Sequence, residues 1–109
     1  MNQVNLTGNL GNDPEIFYAT DGVPVVSFSL AFRVTKDRTG WIKTVCFEKM
    51  AEVAEKFLHK GAKILLSGTL DQKKWETEDG QTRSTIQVIA RNIEFIKTDG
   101  RGFNDDSPE

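Results

Sequence analysis

Apolar and polar residues alternate from the start of the chain. In "VNLTGNL", Val4, Leu6, Gly8 and Leu10 share one parity and Asn5, Thr7 and Asn9 the other, the period of two expected of a strand with one buried face. "NDPEIFYATDG" then supplies breakers and a turn at Asp21-Gly22. "VVSFSLAFRV" repeats the alternation, with Val26, Phe28, Leu30 and Phe32 inward and Ser27, Ser29 and Arg33 outward. "KDRTG" is a short polar connection, and "WIKTVCF" is the third strand. The period then lengthens. In "KMAEVAEKFLHKG", Met50, Val53, Ala54, Phe57 and Leu58 fall at i, i+3, i+4, i+7 and i+8, the stripe of a short amphipathic helix. Lys56, His59 and Lys60 stand toward its carboxyl end, where positive charge suits the helix dipole, and Gly61 is placed to end it. "AKILLSGTLDQKKW" and "RSTIQVIARNIEFI" return to a period of two, joined by a turn at Asp79-Gly80, a pair suited to tight hairpins.

Three strands, a helix and two strands predict an all-β chain with one short helix. The arrangement expected is an OB-fold, the five-stranded Greek-key barrel whose exposed sheet face often takes oligonucleotides or oligosaccharides. A split β-sandwich has the same pattern. In the fourth strand Ile64, Leu66, Gly68 and Leu70 share the inward parity, which leaves Ser67, Thr69, Asp71, Lys73 and Trp75 on the polar face. In the third, Trp41, Lys43, Val45 and Phe47 share a face, and Ile42, Thr44 and Cys46 face the barrel. A small barrel has little interior room for two indoles. A sheet face that stacks unpaired bases, by contrast, needs flat rings interspersed with cations that follow the phosphates. The same parity also serves a subunit interface, or lysine stems laid over rings with the ammonium in water.

Length and charge bound these readings. At 109 residues the chain is one domain with a modest core. No apolar run has the length of a membrane span, and "MNQVNLTGNL" lacks a basic region followed by an apolar one, so a cytoplasmic, nucleoid-associated location is expected and no membrane partner. The single cysteine, Cys46, rules out an internal disulfide and a cysteine-rich zinc site. The formal charge of -2 is unevenly placed: Asp99, Asp105, Asp106 and Glu109 against Arg101 give the last segment -3, so residues 1–98 carry +1. A near-neutral body is compatible with a polyanion, because binding depends on the local field of a groove more than on the sum.

The order of motifs resembles the bacterial-type single-stranded DNA-binding protein family over residues 1–97. "N-x-V-x-L-x-G-x-L-x-x-D-P-E" is matched from Asn2 to Glu15, a tryptophan opens the third strand at Trp41, and "F-x-K-x-A-E" runs from Phe47 to Glu52. "G-x-L-x-x-x-x-W-x-x-x-x-G-x-x-R" runs from Gly68 through Trp75 to Arg83. The resemblance implies base stacking on Trp41, Phe47 and Trp75. It also implies phosphate contacts from Lys43, Lys49, Lys73, Lys74 and Arg83, and no cofactor. Lys36 stands where relatives commonly have a further tryptophan and offers a phosphate contact instead. With the short "DRTG" connection, this predicts a smaller footprint. Glu48 replaces the family's usual glycine, adding an acid beside Lys49. Ile42 replaces a histidine associated with subunit contacts; a homotetramer is the expected assembly, with a homodimer second.

Residues 1–98 are thus expected to form the binding domain, and residues 99–109 a short, acidic, disordered tail. In the family, replication and repair proteins dock on such a tail. "TDGRGFNDDSPE" keeps "DDSP" but closes on Glu109 where relatives close on phenylalanine, leaving Phe103, Asp105 and Asp106 as the candidate partner-binding residues; a merely solvated acidic tail reads the same. Enzyme chemistry has little support. His59, in the last helical turn, suits an exposed capping role, and the Glu76, Glu78 and Asp79 group stands at a hairpin tip without a second carboxylate motif or a glycine-rich phosphate loop. The competing non-enzymatic readings are an OB-fold adaptor of the primosome type, a sugar-binding module, and RNA binding in place of DNA.

Overall fold

The computed structural model describes residues 1–97 of the chain, so the acidic segment with Phe103, Asp105 and Asp106 lies outside the described residues. The elements are β1 (Val4–Leu10), β2 (Glu15–Tyr18), β3 (Pro24–Thr35), β4 (Arg38–Phe47), α1 (Glu48–Phe57), β5 (Lys63–Glu76) and β6 (Thr82–Lys97). Neighbours run β1-β5-β6-β4-β3. β3 returns to β1 through Gly8↔Phe32, Asn9↔Ala31 and Leu10↔Leu30. That last pairing closes the five-stranded barrel expected of an OB-fold. β4 and β6 run parallel, and the other pairs are antiparallel.

The inward parities hold. Val26, Phe28, Leu30, Cys46, Ile64, Leu66, Val88 and Ala90 form the buried core with Leu10. Each large aliphatic side chain removed from water there contributes about 1.5–3 kcal/mol. The register of β5 with β1 is unbroken, whereas its register with β6 passes two irregularities, between Ser67↔Asn92 and Gly68↔Ala90 and between Lys63↔Lys97 and Ile64↔Phe95. In both the extra residue, Arg91 or Ile96, is on β6. The alternation of β5 therefore runs unbroken to Trp75, while β6 changes parity so that Ile93 and Phe95 continue the inward set after Val88 and Ala90. Gly68 sits at the bend because a methyl group there would collide with the carbonyl oxygen of Ile89.

Four features depart from the sequence expectations. A sixth strand, β2, forms where only breakers and a turn were read. It pairs outside the barrel with β3, from Glu15↔Ser27 to Tyr18↔Pro24. Four residues are too few for a period to be read, and the free edge of β3 supplies their hydrogen-bonding partners. The β3–β4 connection shrinks to Lys36 and Asp37, because the strands keep pairing to Thr35↔Arg38.

The helix ends at Phe57, three residues before Lys60. Leu58 turns extended and buries its side chain in the core, and its amide closes the last turn on Ala54 O. His59 and Lys60 consequently lie in the turn into β5. There the Lys60 amide donates to Asp13 Oδ1 (2.8 Å) and the Gly61 amide to Leu10 O (2.9 Å). Gly61, at φ 92°, serves that turn and not the helix end. Finally Leu70, of inward parity, is exposed, because the β5–β6 hairpin has by then left the barrel as a free arm. Asn2 ties the arm's base to the amino terminus, donating to Leu70 O (3.0 Å) and accepting from the Leu70 amide (2.9 Å).

Candidate nucleic-acid interface

The outer faces of β3, β4, β6 and β5 form one continuous surface, and the pairing registers show how its residues are ordered. Ser29↔Lys43, Lys43↔Gln87 and Asp71↔Gln87 make one row across four strands. Farther along β5 and β6, Lys73↔Thr85 and Trp75↔Arg83 continue the same face. In the other direction β4 carries Val45 and then Phe47, which pairs with Val25. Trp41, Lys43 and Phe47 on β4, and Lys73 and Trp75 on β5, keep the faces their parities predict, and the pairing of both strands with β6 gathers them with Arg83 on one side of the molecule.

The rings are open to solvent: Trp41 is 62% exposed, Phe47 43% and Trp75 47%. Phe47 and Trp41 lie six residues apart on β4, about 20 Å at the rise of an extended strand. Lys43 stands between them. Trp75 and its direct cross-strand partner Arg83 occupy the hairpin arm. Trp41 leans toward the turn after β1, where its indole approaches Gly11 so closely that a methyl group at Gly11 would run into the ring. That turn is fixed in turn by β3: the Gly11 amide donates to Ser29 O (2.8 Å), and the Ser29 amide to Asn12 Oδ1 (2.9 Å).

The remaining basic residues are placed differently. Lys74 pairs with Ser84 and leaves the hairpin from the face opposite Trp75, the side that bears Leu70 and Ile86. Lys36 is at the tip of the β3–β4 turn, and Lys49 is in the first turn of α1 beyond Phe47, so both stand at the margins of the face. Among acids on the face, Asp71 accepts a hydrogen bond from Gln87 Nε2 (2.9 Å). At the arm's tip the hydroxyl of Thr77 and the backbone amide of Gln81 hold the Asp79 carboxyl below its ordinary pKa. No group of three His, Cys, Asp or Glu residues among those described is arranged to hold a metal ion. No described helix is long and apolar enough to cross a membrane.

Two contributors to the face were missed from sequence. Phe17, on β2, and Val25, on β3, extend it beyond Phe47. The signal for Phe17 was an exposed aromatic between turn residues, which has no interpretation until β2 is known to pair with β3. Glu48, at the junction of β4 and α1, has φ 58°. The left-handed region explains the glycine expected there from the resemblance: the position asks for a residue without a Cβ.

Residues 1–96 match the single-strand binding protein family. Single-stranded DNA-binding protein 1 of Xylella fastidiosa is 33% identical over 105 residues, covering 88% of this chain and 77% of the relative. The chain belongs to the single-strand binding protein family, non-enzymatic proteins that bind single-stranded DNA in replication, recombination and repair.

Proposed function

We propose that the chain holds single-stranded DNA by laying bases on Trp41, Phe47 and Trp75 while Lys43, Lys73 and Arg83 meet the intervening phosphates. The observation that carries this reading is the presence of three exposed rings with interleaved cations on a single sheet face. Stacking contributes about 1–3 kcal/mol per base, so three rings supply about 3–9 kcal/mol without a large positive charge. Every base offers a flat face, hence sequence preference is weak. A duplex, whose bases are already stacked, binds poorly. Each phosphate neutralised adds about -0.7 to the logarithmic salt slope. Lys36 and Lys49 extend the phosphate track at its margins, whereas Lys74 serves a strand only if it wraps around the arm. The protein acts as a passive coat in the cytoplasm, associated with the nucleoid, that blocks reannealing and nucleases.

Assembly through a homotetramer, with a homodimer as the second possibility, has its own support. β1 pairs with β3 only from Gly8 onward, leaving the outer edge of Val4–Thr7 open beside a cleft of about 610 Å³ lined by Asn5, Thr7, Ala31 and Arg33. Light scattering on the purified chain decides the number of subunits. The segment 99–109, with Phe103, Asp105 and Asp106, is proposed to recruit partner proteins and to compete with DNA for the basic face. Deleting it should tighten binding at low salt.

Intrinsic tryptophan fluorescence during titration with oligo-dT at two salt concentrations tests the main reading. The native chain should show saturable quenching that weakens at high salt, and Trp75→Ala should lose about 1–3 kcal/mol of affinity. Equal affinity in the two proteins would remove Trp75 from the binding face.

A further inference from the structure

We propose that Phe17 and Phe47 form the two walls of a slot that receives one nucleobase of the bound strand, so that Phe17 adds a second wall to the base already assigned to Phe47. The inference rests on the reading of this face as the DNA-binding face. Phe17 pairs with Val25, and Val25 pairs in turn with Phe47. The two phenylalanines therefore rise from one cross-strand row, on either side of a valine. Val25 and Val45 point out of the barrel, yet each is only 6% exposed. They are the floor of a cleft of about 290 Å³ whose walls include Phe17, Phe47, Lys43 and Lys73.

The spacing suits a planar guest. Strands two apart in a sheet are separated by about 10 Å. A flat ring midway between two others then has centroid distances of about 5 Å on each side, within the range of about 4.5–7 Å at which aromatic groups attract. The walls are available for this, since Phe17 is 55% exposed and Phe47 43%. Charge selects the guest. Lys43 and Lys73 flank the cleft on the side leading to Trp41 and Trp75, so a base seated on the valines has its phosphate beside an ammonium group. Glu15 shares the outer face of β2 with Phe17 and turns the backbone toward the lysines. A purely apolar guest gains nothing from these two cations, whereas a nucleotide uses both the floor and the rim.

Affinity for oligo-dT, measured for Phe17→Ala, Phe17→Leu and Trp75→Ala, separates this proposal from the reading beneath it. Phe17→Ala and Phe17→Leu should each weaken binding by about 5- to 150-fold, the loss of one stacking ring. Phe17→Leu retains an apolar cover for Val25, so its urea midpoint should stay near that of the native chain. Strands carrying 5-iodouracil at successive positions should crosslink to Phe17 and Phe47 from the same nucleotide. Native affinity in both Phe17 variants with a loss in Trp75→Ala would overturn the slot while leaving the binding face intact; native affinity in all three would refute the face itself. Native affinity in Phe17→Leu alone would reduce Phe17 to a packing residue. Loss of self-association without loss of DNA binding would assign the slot to a second copy of the chain; either result overturns the proposal.

Discussion

Replacing Glu48 with glycine should stabilise the fold. Phe47 is extended, at φ -121° and ψ 148°, and the chain must reverse within one residue to enter α1, which it does at Glu48 with φ 58°. A side chain in the left-handed region costs about 1–2 kcal/mol, because its Cβ crowds the following carbonyl. Glycine escapes that cost but gives up more backbone freedom on folding, about 0.5–1 kcal/mol. A carboxylate at a helix start also contributes a few tenths of a kcal/mol through the dipole, about 0.3 kcal/mol at an exposed site in salt. The balance favours Glu48→Gly by about 0.5 kcal/mol, a rise in Tm of about 2–4 °C for a domain of this size. Thermal unfolding followed by circular dichroism would measure it, with Glu48→Ala and Glu48→Asn alongside. Alanine keeps the Cβ and should give no rise, while asparagine, which tolerates this conformation, should fall between alanine and glycine. If alanine stabilised as much as glycine, the carboxylate and not the backbone would be the source of the cost, and the reasoning would fail.

Thr44 and Cys46 offer two further tests inside the barrel. Thr44 is fully buried, and its hydroxyl has no hydrogen-bond partner; Thr44→Val keeps the shape, removes the orphaned group and should raise stability by about 1 kcal/mol in urea. Burial pushes the Cys46 thiol up to about 12, from an ordinary 9.0. The thiol of the native protein should therefore resist thiol reagents at pH 8 and react on unfolding. The unfolded chain loses this proton first, so the thiol's share of stability is intact below pH 9.0 and is lost toward about pH 12. Cys46→Ala should show a shallower alkaline loss than the native chain, and equal slopes would contradict the burial argument.

How far the binding face could be read from sequence depended on the kind of information each residue carries. Parity is local: each residue turns its side chain to the opposite side from the one before, so Trp41, Lys43 and Phe47, or Lys73 and Trp75, share a face whatever the strand's neighbours are. The helix stripe is local in the same sense, although its end was not. Leu58 leaves the helix in an extended conformation and joins a core built from residues of distant strands, among them Leu10, Val26, Ile64 and Val88.

The sequence by itself therefore determined the five barrel strands and the helix, their buried faces and the presence of three outward rings among cations. The tertiary structure decided everything that requires a partner. The parallel pairing of β4 with β6 joined the ring-bearing faces of β4 and β5 into one surface. The placement of both irregularities on β6 preserved the parity of Trp75. The open edge of β3 made a strand of Glu15–Tyr18, and with it the wall opposite Phe47. The backbone's own geometry sets a repeat of two or 3.6 within a few residues, whereas pairing and register are chosen by which distant segments bury the most apolar surface together.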